Sequence, residues 1–446
     1  MFIENQNVVM TTQRILKYIE VFKQKYLPRL QKLSRYYNCQ NDAILNRTFS
    51  DNTIPNNHIA VPFGKYICDV TASYFVGKPI VLNSTNTEYL SELNSIFKYN
   101  DSQVIDNQLA LNQSKYGLAN ELLYIDNQKN IRFAPIDVEN TILIYDNTVE
   151  KNLIYAIRFF EETDILTNKK TLSVELYSET DISYFTEIEG VLTLTDMQPH
   201  FFGGCPINPY INNTSSLSDF EHVIKLIDSY DYAISDQQNM RDSWADSYML
   251  WKNTGELKVE EALVMKEKKN IFVEDKEQGM ASDVSYLNKN ADVTEINSFL
   301  DRIADNIFTF SYVNNLNSES QKSHTSATQS KLSLMALEQN VIRKEAYFKF
   351  GLQRKIELIT NILNIKGAEY NYLDIAMTFT RNIPIDLSVV SDTIVKLRNL
   401  VSDQTLLENL PIISDVEQEL QRIQKQNELN SYANLFSNME GDVVEQ

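Results

Sequence analysis

Residues 292–310, DVTEINSFLDRIADNIFTF, carry the clearest secondary-structure signal in the chain. Asp292 is followed three residues later by Glu295, a pattern typical of a helix start. Apolar residues then recur at spacings of three and four, as on one face of an α-helix. We expect this packing face to consist of Ile296, Phe299, Leu300, Ile303, Ile307 and Phe310.

A second long helix is predicted on the N-terminal side of this one. Ser218 and Glu221 have the spacing of a capping box, and apolar residues at helical spacing continue to about residue 248. Between the two helices, residues 252–290 are dense in both charges and include strand-like runs at 270–273 and 284–287. The sequence therefore predicts two long helices that flank a compact charged insert.

The segments that follow predict a polar loop and further helices. Residues 314–330 are almost wholly polar. A helix is then expected over 327–364, with Gly351 as a possible kink, and another over 386–430. Residues 372–379 are a strand candidate.

The N-terminal half predicts helices followed by an antiparallel β region. Residues 11–38 have a helical pattern in which seven bases stand against one acid. This basic face either meets acidic neighbours or contacts nucleic acid or another subunit. A second helix is expected over 65–76, and β-branched and aromatic runs over 116–210 predict antiparallel strands. The expected fold class is α+β, mainly helical.

Composition and motifs disfavour several classes of protein. Sixty acids against 41 bases give a net charge of −19, the opposite of the balance usual in a protein that wraps nucleic acid. Glycine is scarce, and neither Gly64-Lys65 nor Gly77-Lys78 completes a phosphate-binding loop. The four histidines lie far apart and no Cys-x-x-Cys occurs, so we expect no metal, cofactor or catalytic site.

The chain carries no signal for secretion or for membrane insertion. Its first ten residues are polar and mixed, and no apolar run of about 18 residues occurs. Three scattered cysteines suit a reducing compartment. We therefore expect the protein in a cytoplasm and not in a membrane.

Short segments along most of the chain resemble the portal proteins of tailed bacteriophages, in particular the siphophage type of Gram-positive hosts. Their shared order and spacing carry the resemblance more than any single motif. The segments are 57–63 (NHIAVPF), 74–80 (YFVGKPI), 116–121 (YGLANE), 204–207 (GCPI), 219–221 (DFE), 226–231 (LIDSYD), 379–386 (FTRNIPID) and 400–406 (LVSDQTL).

The resemblance implies a non-enzymatic ring, usually of twelve subunits, at one vertex of a capsid. Double-stranded DNA would be packaged through its channel by a separate terminase and later ejected. Further expected partners are the head–tail adaptor and the major capsid and scaffolding proteins. The expected locations are the bacterial host cytoplasm during assembly and then the virion.

The resemblance also assigns each segment a place in the portal architecture. The expected parts are a wing (1–227), stem helices (228–248 and 292–312), a clip (249–291), a tunnel loop (313–330), a wing spine (331–385) and a crown (386–446). Clip residues would include Lys266, Lys268, Lys269, Ile271 and Val273. The loop residues expected to face DNA are Asn314, Asn315, Asn317, Ser318, Ser320, Gln321, Lys322, Ser323, His324, Thr325 and Ser326.

Two other classes stay open from the residues alone. The first is another non-enzymatic virion protein, such as an adaptor or a capsid component. The second is a carboxylate-dependent metal nuclease, for which acid pairs such as Asp242 and Asp246, one helical turn apart, are numerous enough to arise by chance.

Deletion of residues 321–326 tests the tunnel-loop assignment. We expect the variant to assemble normally and to package less DNA, because only the channel contact is removed. Packaged DNA per particle is the measurement, and replacement of the same six residues by a Gly/Ser run of equal length is the control for loop length. Normal packaging by the deletion variant would contradict the assignment.

Overall fold

The structure is a computed structural model of the 446-residue chain. It describes residues 2–6, 8–50, 55–188, 190–244, 249–252, 283–286, 293–315, 334–382, 392, 394–398, 400–408, 410, 416 and 419–429. The chain forms two compact units. Unit 1 comprises Met1–Tyr37, Gly64–His222 and Ser311–Gln446, and unit 2 comprises Asn38–Phe63 and Val223–Phe310.

The helices and strands are numbered here in chain order within the described residues. The helices are α1 (Thr12–Lys25), α2 (Leu27–Tyr37), α3 (Asp42–Leu45), α4 (Phe63–Val76), α5 (Thr87–Tyr99), α6 (Ser102–Tyr116), α7 (Ile224–Trp244), α8 (Val293–Phe310), α9 (Met335–Ile365) and α10 (Asp403–Glu408). The strands are β1 (Phe2–Glu4), β2 (Val81–Asn83), β3 (Leu118–Ile125), β4 (Ile131–Ile136), β5 (Thr141–Asp146), β6 (Leu153–Thr163), β7 (Lys170–Tyr177), β8 (Asp181–Ile188), β9 (Val191–Pro199), β10 (Ile207–Ile211), β11 (Met249–Lys252), β12 (Asp283–Tyr286) and β13 (Ala376–Thr378).

Unit 1 contains three of the sheets. The largest has six strands in the order β1-β5-β6-β7-β8-β9, and all its pairs are antiparallel except β1 with β5. A three-stranded antiparallel sheet has the order β10-β3-β4, and β13 pairs with β2. These strands confirm the predicted β region and the α+β class, whereas β1 and β2 were not predicted.

The long helix α9 packs on the three-stranded sheet at β10. Gly351 makes this contact possible, because a Cβ there would lie 2.6 Å from the Tyr210 ring. Its carbonyl oxygen also accepts a hydrogen bond of 2.8 Å from Asn208 Nδ2. The helix is unbroken from Met335 to Ile365, so this glycine permits close packing rather than ending the helix.

Unit 2 is built mainly from α7 and α8, which pack against each other. Strands β11 and β12 form an antiparallel pair between the two helices in the chain, with Met249 opposite Tyr286 and Lys252 opposite Asp283. The strand-like run predicted at 284–287 is thus confirmed, although the strand begins and ends one residue earlier, at Asp283 and Tyr286. The run at 270–273 lies outside the described residues.

Two of the predicted helices need correction. The helix expected over 11–38 is two helices, because Pro28 has no N–H to donate to the preceding turn; Pro28 instead occupies the second position of α2. At Ser218 the N–H donates to Glu221 Oε2 at 3.2 Å, as a capping box requires. However, Ser218 Oγ donates to the Ser114 carbonyl, and the α-helix begins only at Ile224.

The C-terminal predictions are also only partly confirmed. The strand expected over 372–379 is the three-residue β13, preceded by a 3₁₀ turn at Tyr372–Asp374. The helix expected over 386–430 is not continuous. An isolated bridge joins Arg398 to Val401, and Ser402 then caps the new helix α10.

Candidate functional site

The apolar stripe predicted on α8 divides into a buried part and an exposed part. Leu300, Ile303 and Ile307 are buried. Phe299 and Phe310 remain 44% and 55% exposed, whereas Ile296 is half-buried. The stripe is therefore wider than the surface that α7 covers within one chain.

Only the beginning of the predicted tunnel loop lies among the described residues. Asn314 and Asn315 are half-buried, and the Asn314 carbonyl accepts a hydrogen bond of 3.4 Å from Tyr66 Oη. The remaining loop residues, from Asn317 to Ser326, lie outside the described residues. So do the predicted clip residues Lys266, Lys268, Lys269, Ile271 and Val273.

An extended segment at residues 55–62, which we call the strap, lies along α7 within unit 2. Its alternate amides donate to side chains one helical turn apart. The three hydrogen bonds are Val61 N to Asp231 Oδ1 (3.0 Å), Ile59 N to Ser235 Oγ (3.0 Å) and Asn57 N to Asn239 Oδ1 (2.8 Å). The strap thus pairs with helix side chains as a strand pairs with a neighbouring backbone.

The spacing of alternate amides along the strap is close enough to the spacing of helical turns along α7 to allow three successive hydrogen bonds. Two residues of extended chain advance roughly 6.6 Å. Four residues of α-helix advance roughly 6.0 Å. Pro55 would supply the next amide in the series but has no N–H, so the ladder ends at Asn57.

Asp231 binds the C-terminal end of the strap. Its carboxylate accepts from the Val61 amide and from Asn41 Nδ2, which lies 2.5 Å away. Burial raises the pKa of Asp231 to about 6, although both hydrogen bonds oppose the shift. The nearby Asp228 carboxylate raises this pKa further.

In unit 1, a buried lysine fixes the N-terminal half of α9. Lys344 Nζ lies 2.8 Å from Asp219 Oδ2 and also donates to Ser114 Oγ, and all three residues are buried. The hydrogen bonds bring together α9, α6 and the segment just before α7. Such a pair is costly to break, because the remaining charge would stay buried without a partner.

A second buried lysine lies three turns further along α9. Lys355 Nζ is 2.8 Å from Glu121 Oε1, 3.8 Å from Asp106 Oδ1 and 3.5 Å from the centroid of the Phe133 ring. The hydroxyl of Tyr210 donates to Glu121 at 2.8 Å. This cluster holds two carboxyl groups against one ammonium group.

One carboxyl group of this cluster, that of Asp106, has a raised pKa. Burial raises the pKa of Asp106 to about 6, while the charge of Lys355 opposes the shift and that of Glu121 adds to it. Asp106 Oδ1 also has no hydrogen-bond partner. Protonation of Asp106 would leave one carboxylate for one ammonium.

The basic face of α1 and α2 contacts acidic side chains of the same chain. Lys23 pairs with Glu161 at 2.8 Å, and Arg29 donates to Glu221 at 2.7 Å through Nε. This arrangement supports the first of the two predicted roles, a surface whose bases meet acidic neighbours.

The described residues contain no cluster of three or more His, Cys, Asp or Glu side chains that could hold a metal ion. Asp242, one of the acids considered for a nuclease, accepts hydrogen bonds from Asn57 and Gln238. Among the helices of the described ranges, none is long and apolar enough to cross a membrane.

Sequence reasoning missed the strap and both lysine clusters. A signal for the clusters was present, because Lys344 and Lys355 fall on the apolar positions of α9, in series with Val341, Phe348 and Leu352. A lysine in such a stripe indicates a buried charge with a partner. The strap has no comparable signal, since its bonds depend on the tertiary fold.

The chain belongs to a family of phage portal proteins. The family model described as "Phage portal protein, SPP1 Gp6-like" matches residues 16–431, which is most of the sequence. This match confirms the resemblance inferred from the short segments.

Two curated relatives carry the name portal protein. The one from Bacillus phage SPP1 is 25% identical over 446 residues, covering 93% of this chain and 86% of the relative. The one from Clostridium phage phiCD119 is 23% identical over 417 residues, covering 87% and 90% respectively. Portal proteins are structural components of the virion, and both of these relatives come from phages of Gram-positive hosts.

Replacement of Ser235 by alanine tests the strap. We expect Ser235→Ala to lower the free energy of unfolding by about 1–3 kcal/mol, because the Ile59 amide loses its acceptor. Amide hydrogen exchange at Ile59 should accelerate. Ser229→Ala is the matched control, because Ser229 lies on the same helix and donates only to the Lys225 carbonyl of that helix. Equal effects of the two variants would contradict the role of the ladder.

The cluster around Asp106 predicts a pH dependence of stability. A carboxyl group whose pKa is raised in the folded state stabilises the fold when protonated, and this contribution is lost as the pH rises through about 6. Asp106→Asn should therefore reduce the loss of thermal stability between pH 5 and pH 7. Asp301→Asn, at an exposed carboxylate, is the control. An unchanged pH profile in the Asp106 variant would contradict the assignment.

Proposed function

We propose that copies of this chain form a ring of twelve that serves as the DNA conduit at the portal vertex of a phage capsid. The match of the portal family model to residues 16–431 carries the proposal. Double-stranded DNA enters through the ring during packaging by terminase and leaves through it on ejection. The ring also provides the platform for the head–tail connection.

We assign the helices and strands to the parts of the portal architecture that the resemblance implies. Helices α7 and α8 are the stem, and β11 and β12 belong to the clip. Residues 313–330 are the tunnel loop, and α9 is the main helix of the wing spine. The crown contains α10 and the helical residues 419–429.

Two observations support a ring built around these helices. The exposed Phe299 and Phe310 leave apolar surface on α8 that a neighbouring subunit would cover. The net charge of −19 per chain disfavours tight binding of phosphates, so DNA could pass without being held by counterion release.

The proposed role requires no catalytic group in this chain. Terminase supplies the work of packaging, and the adaptor, the major capsid protein and the scaffolding protein are the other partners. The subunit is made in the host cytoplasm and ends in the virion.

The native mass of the purified chain tests the proposal. A ring of twelve subunits of 51.6 kDa has a mass of roughly 620 kDa, and a closed ring is the expected product of a head-to-tail interface. We expect this species in mass measurements and rings with a central hole in negative-stain images. A chain that stays monomeric or dimeric at high concentration would favour an adaptor or capsid component instead.

A further inference from the structure

Within the described part of the chain, the carboxyl group of Asp231 is buried in unit 2 and has no ion pair. The residue is 0% exposed. Its two oxygens accept hydrogen bonds from neutral donors, Oδ1 from the Val61 amide and Oδ2 from the Asn41 side chain. Arg47, which also contacts α7, pairs instead with Asp236 at 2.8 Å. A buried carboxylate without a compensating cation keeps most of its desolvation cost.

The titratable groups around Asp231 add no positive charge. Burial and, to a smaller degree, the charge of Asp228 on the same helix raise the pKa of Asp231. Burial and the charge of Asp231 raise the pKa of the Cys39 thiol, on the segment before α3. Burial, Asp301 of α8 and Asp231 raise the pKa of the Tyr230 hydroxyl in the same way. The surroundings therefore favour the neutral acid.

The side-chain amide of Asn41 can serve either charge state of Asp231. Asn41 is 1% exposed, and its Nδ2 donates to the carboxylate at 2.5 Å and, more weakly, to the Val61 carbonyl at 3.4 Å. Its Oδ1 is buried and has no hydrogen-bond partner. An amide has a donor at one end and an acceptor at the other, so a half-turn of this group would present Oδ1 to a protonated Asp231. The neutral acid can thus satisfy an acceptor that the carboxylate leaves empty.

The bond from the Val61 amide joins this carboxyl group to the strap. Of the three acceptors in the ladder, Asp231 is the one that titrates, because Ser235 and Asn239 have neutral side chains. Release of the strap would admit water to Asp231 and remove the desolvation cost of its charge. The bound strap therefore favours the neutral acid, and the released strap favours the carboxylate.

We propose that Asp231 is a protonation-dependent latch of the strap. When the acid is neutral, the strap stays on α7. When the acid is ionised, residues 55–62 leave α7 more readily. The inference concerns a motion within unit 2 of one subunit, so it goes beyond the proposed ring and does not depend on it.

The direction of the pH dependence follows from the raised pKa. Asp231 has a pKa of about 6 while the strap is bound, and a carboxyl group in water has a pKa of about 4. The neutral acid stabilises the bound strap at low pH, and this contribution is lost as the pH rises through about 6. The equilibrium constant for release should therefore rise about tenfold between pH 5 and pH 7.

Hydrogen exchange of the full chain, followed by mass spectrometry, measures this release. After correction for the intrinsic pH dependence of exchange, the amides of residues 56–61 should exchange about tenfold faster at pH 7 than at pH 5. The Asp231→Asn variant should lose this difference, because its uncharged side chain resembles the neutral acid and can donate to Asn41 Oδ1. Asp106→Asn is the matched control, since it removes a buried carboxyl group with a raised pKa from unit 1. That control should keep the tenfold difference.

A second variant keeps the test decisive if Asp231→Asn does not fold. Ser235→Ala removes the central acceptor of the ladder and leaves the titrating group in place. The strap should then exchange faster at both pH values, with the ratio between them unchanged. Thermal unfolding of each variant shows which of them are folded.

Three results would overturn the latch. The first is equal corrected exchange of the strap at pH 5 and pH 7 in the unchanged chain. The second is a pH difference that persists in the Asp231→Asn variant, since another group would then control release. The third is a pH difference that disappears in the Asp106→Asn or Ser235→Ala variant. None of these results bears on whether the chain forms rings.

Discussion

The arrangement of unit 1 depends on the two buried lysines of α9. Each ammonium group loses its hydration on folding, and only a nearby carboxylate compensates for this loss. The carboxylates come from elsewhere in the chain, with Asp219 opposite Lys344 and Glu121 and Asp106 around Lys355. Eleven residues, about three helical turns, separate the lysines, so both sites can be satisfied only in one axial position of the helix. Apolar contacts alone would tolerate a small shift along the helix axis, whereas these charges do not.

Unit 2 is organised by hydrogen bonds of a different kind. The strap has no neighbouring strand among the described residues, and α7 supplies acceptors from side chains instead. Asp231, Ser235 and Asn239 recur every four residues, so they lie on one face of the helix. Gln237, which donates to Asn297 of α8 at 3.3 Å, lies on another face. One helix thus serves two neighbours, and its sequence satisfies both patterns at once.

The sequence predicted the regular elements better than the contacts between them. Periodicity located the strands of the β region and the stripe on α8, since both signals are local. It did not separate α1 from α2, where the position of Pro28 decided the outcome, and it placed the start of α7 at Ser218. The buried pairs of Lys344 and Lys355 join residues more than a hundred positions apart. Distant partners of this kind leave no spacing to detect, although a lysine at an apolar position of a helix does indicate that a partner exists.

The strap also has a consequence for the order in which the chain folds during synthesis. Ile59 and Ser235, which form the central bond of the ladder, are separated by 176 positions. The amides of the strap therefore stay without these acceptors until the ribosome has made all strands of the six-stranded and three-stranded sheets and most of α7. Closing so long a loop costs entropy before any bond is gained, but this cost falls if the residues between them, most of which belong to unit 1, have already formed their hairpins. Unit 2, although it contains residues 38–63, can then be completed only after residues 64–222 of unit 1 have been made.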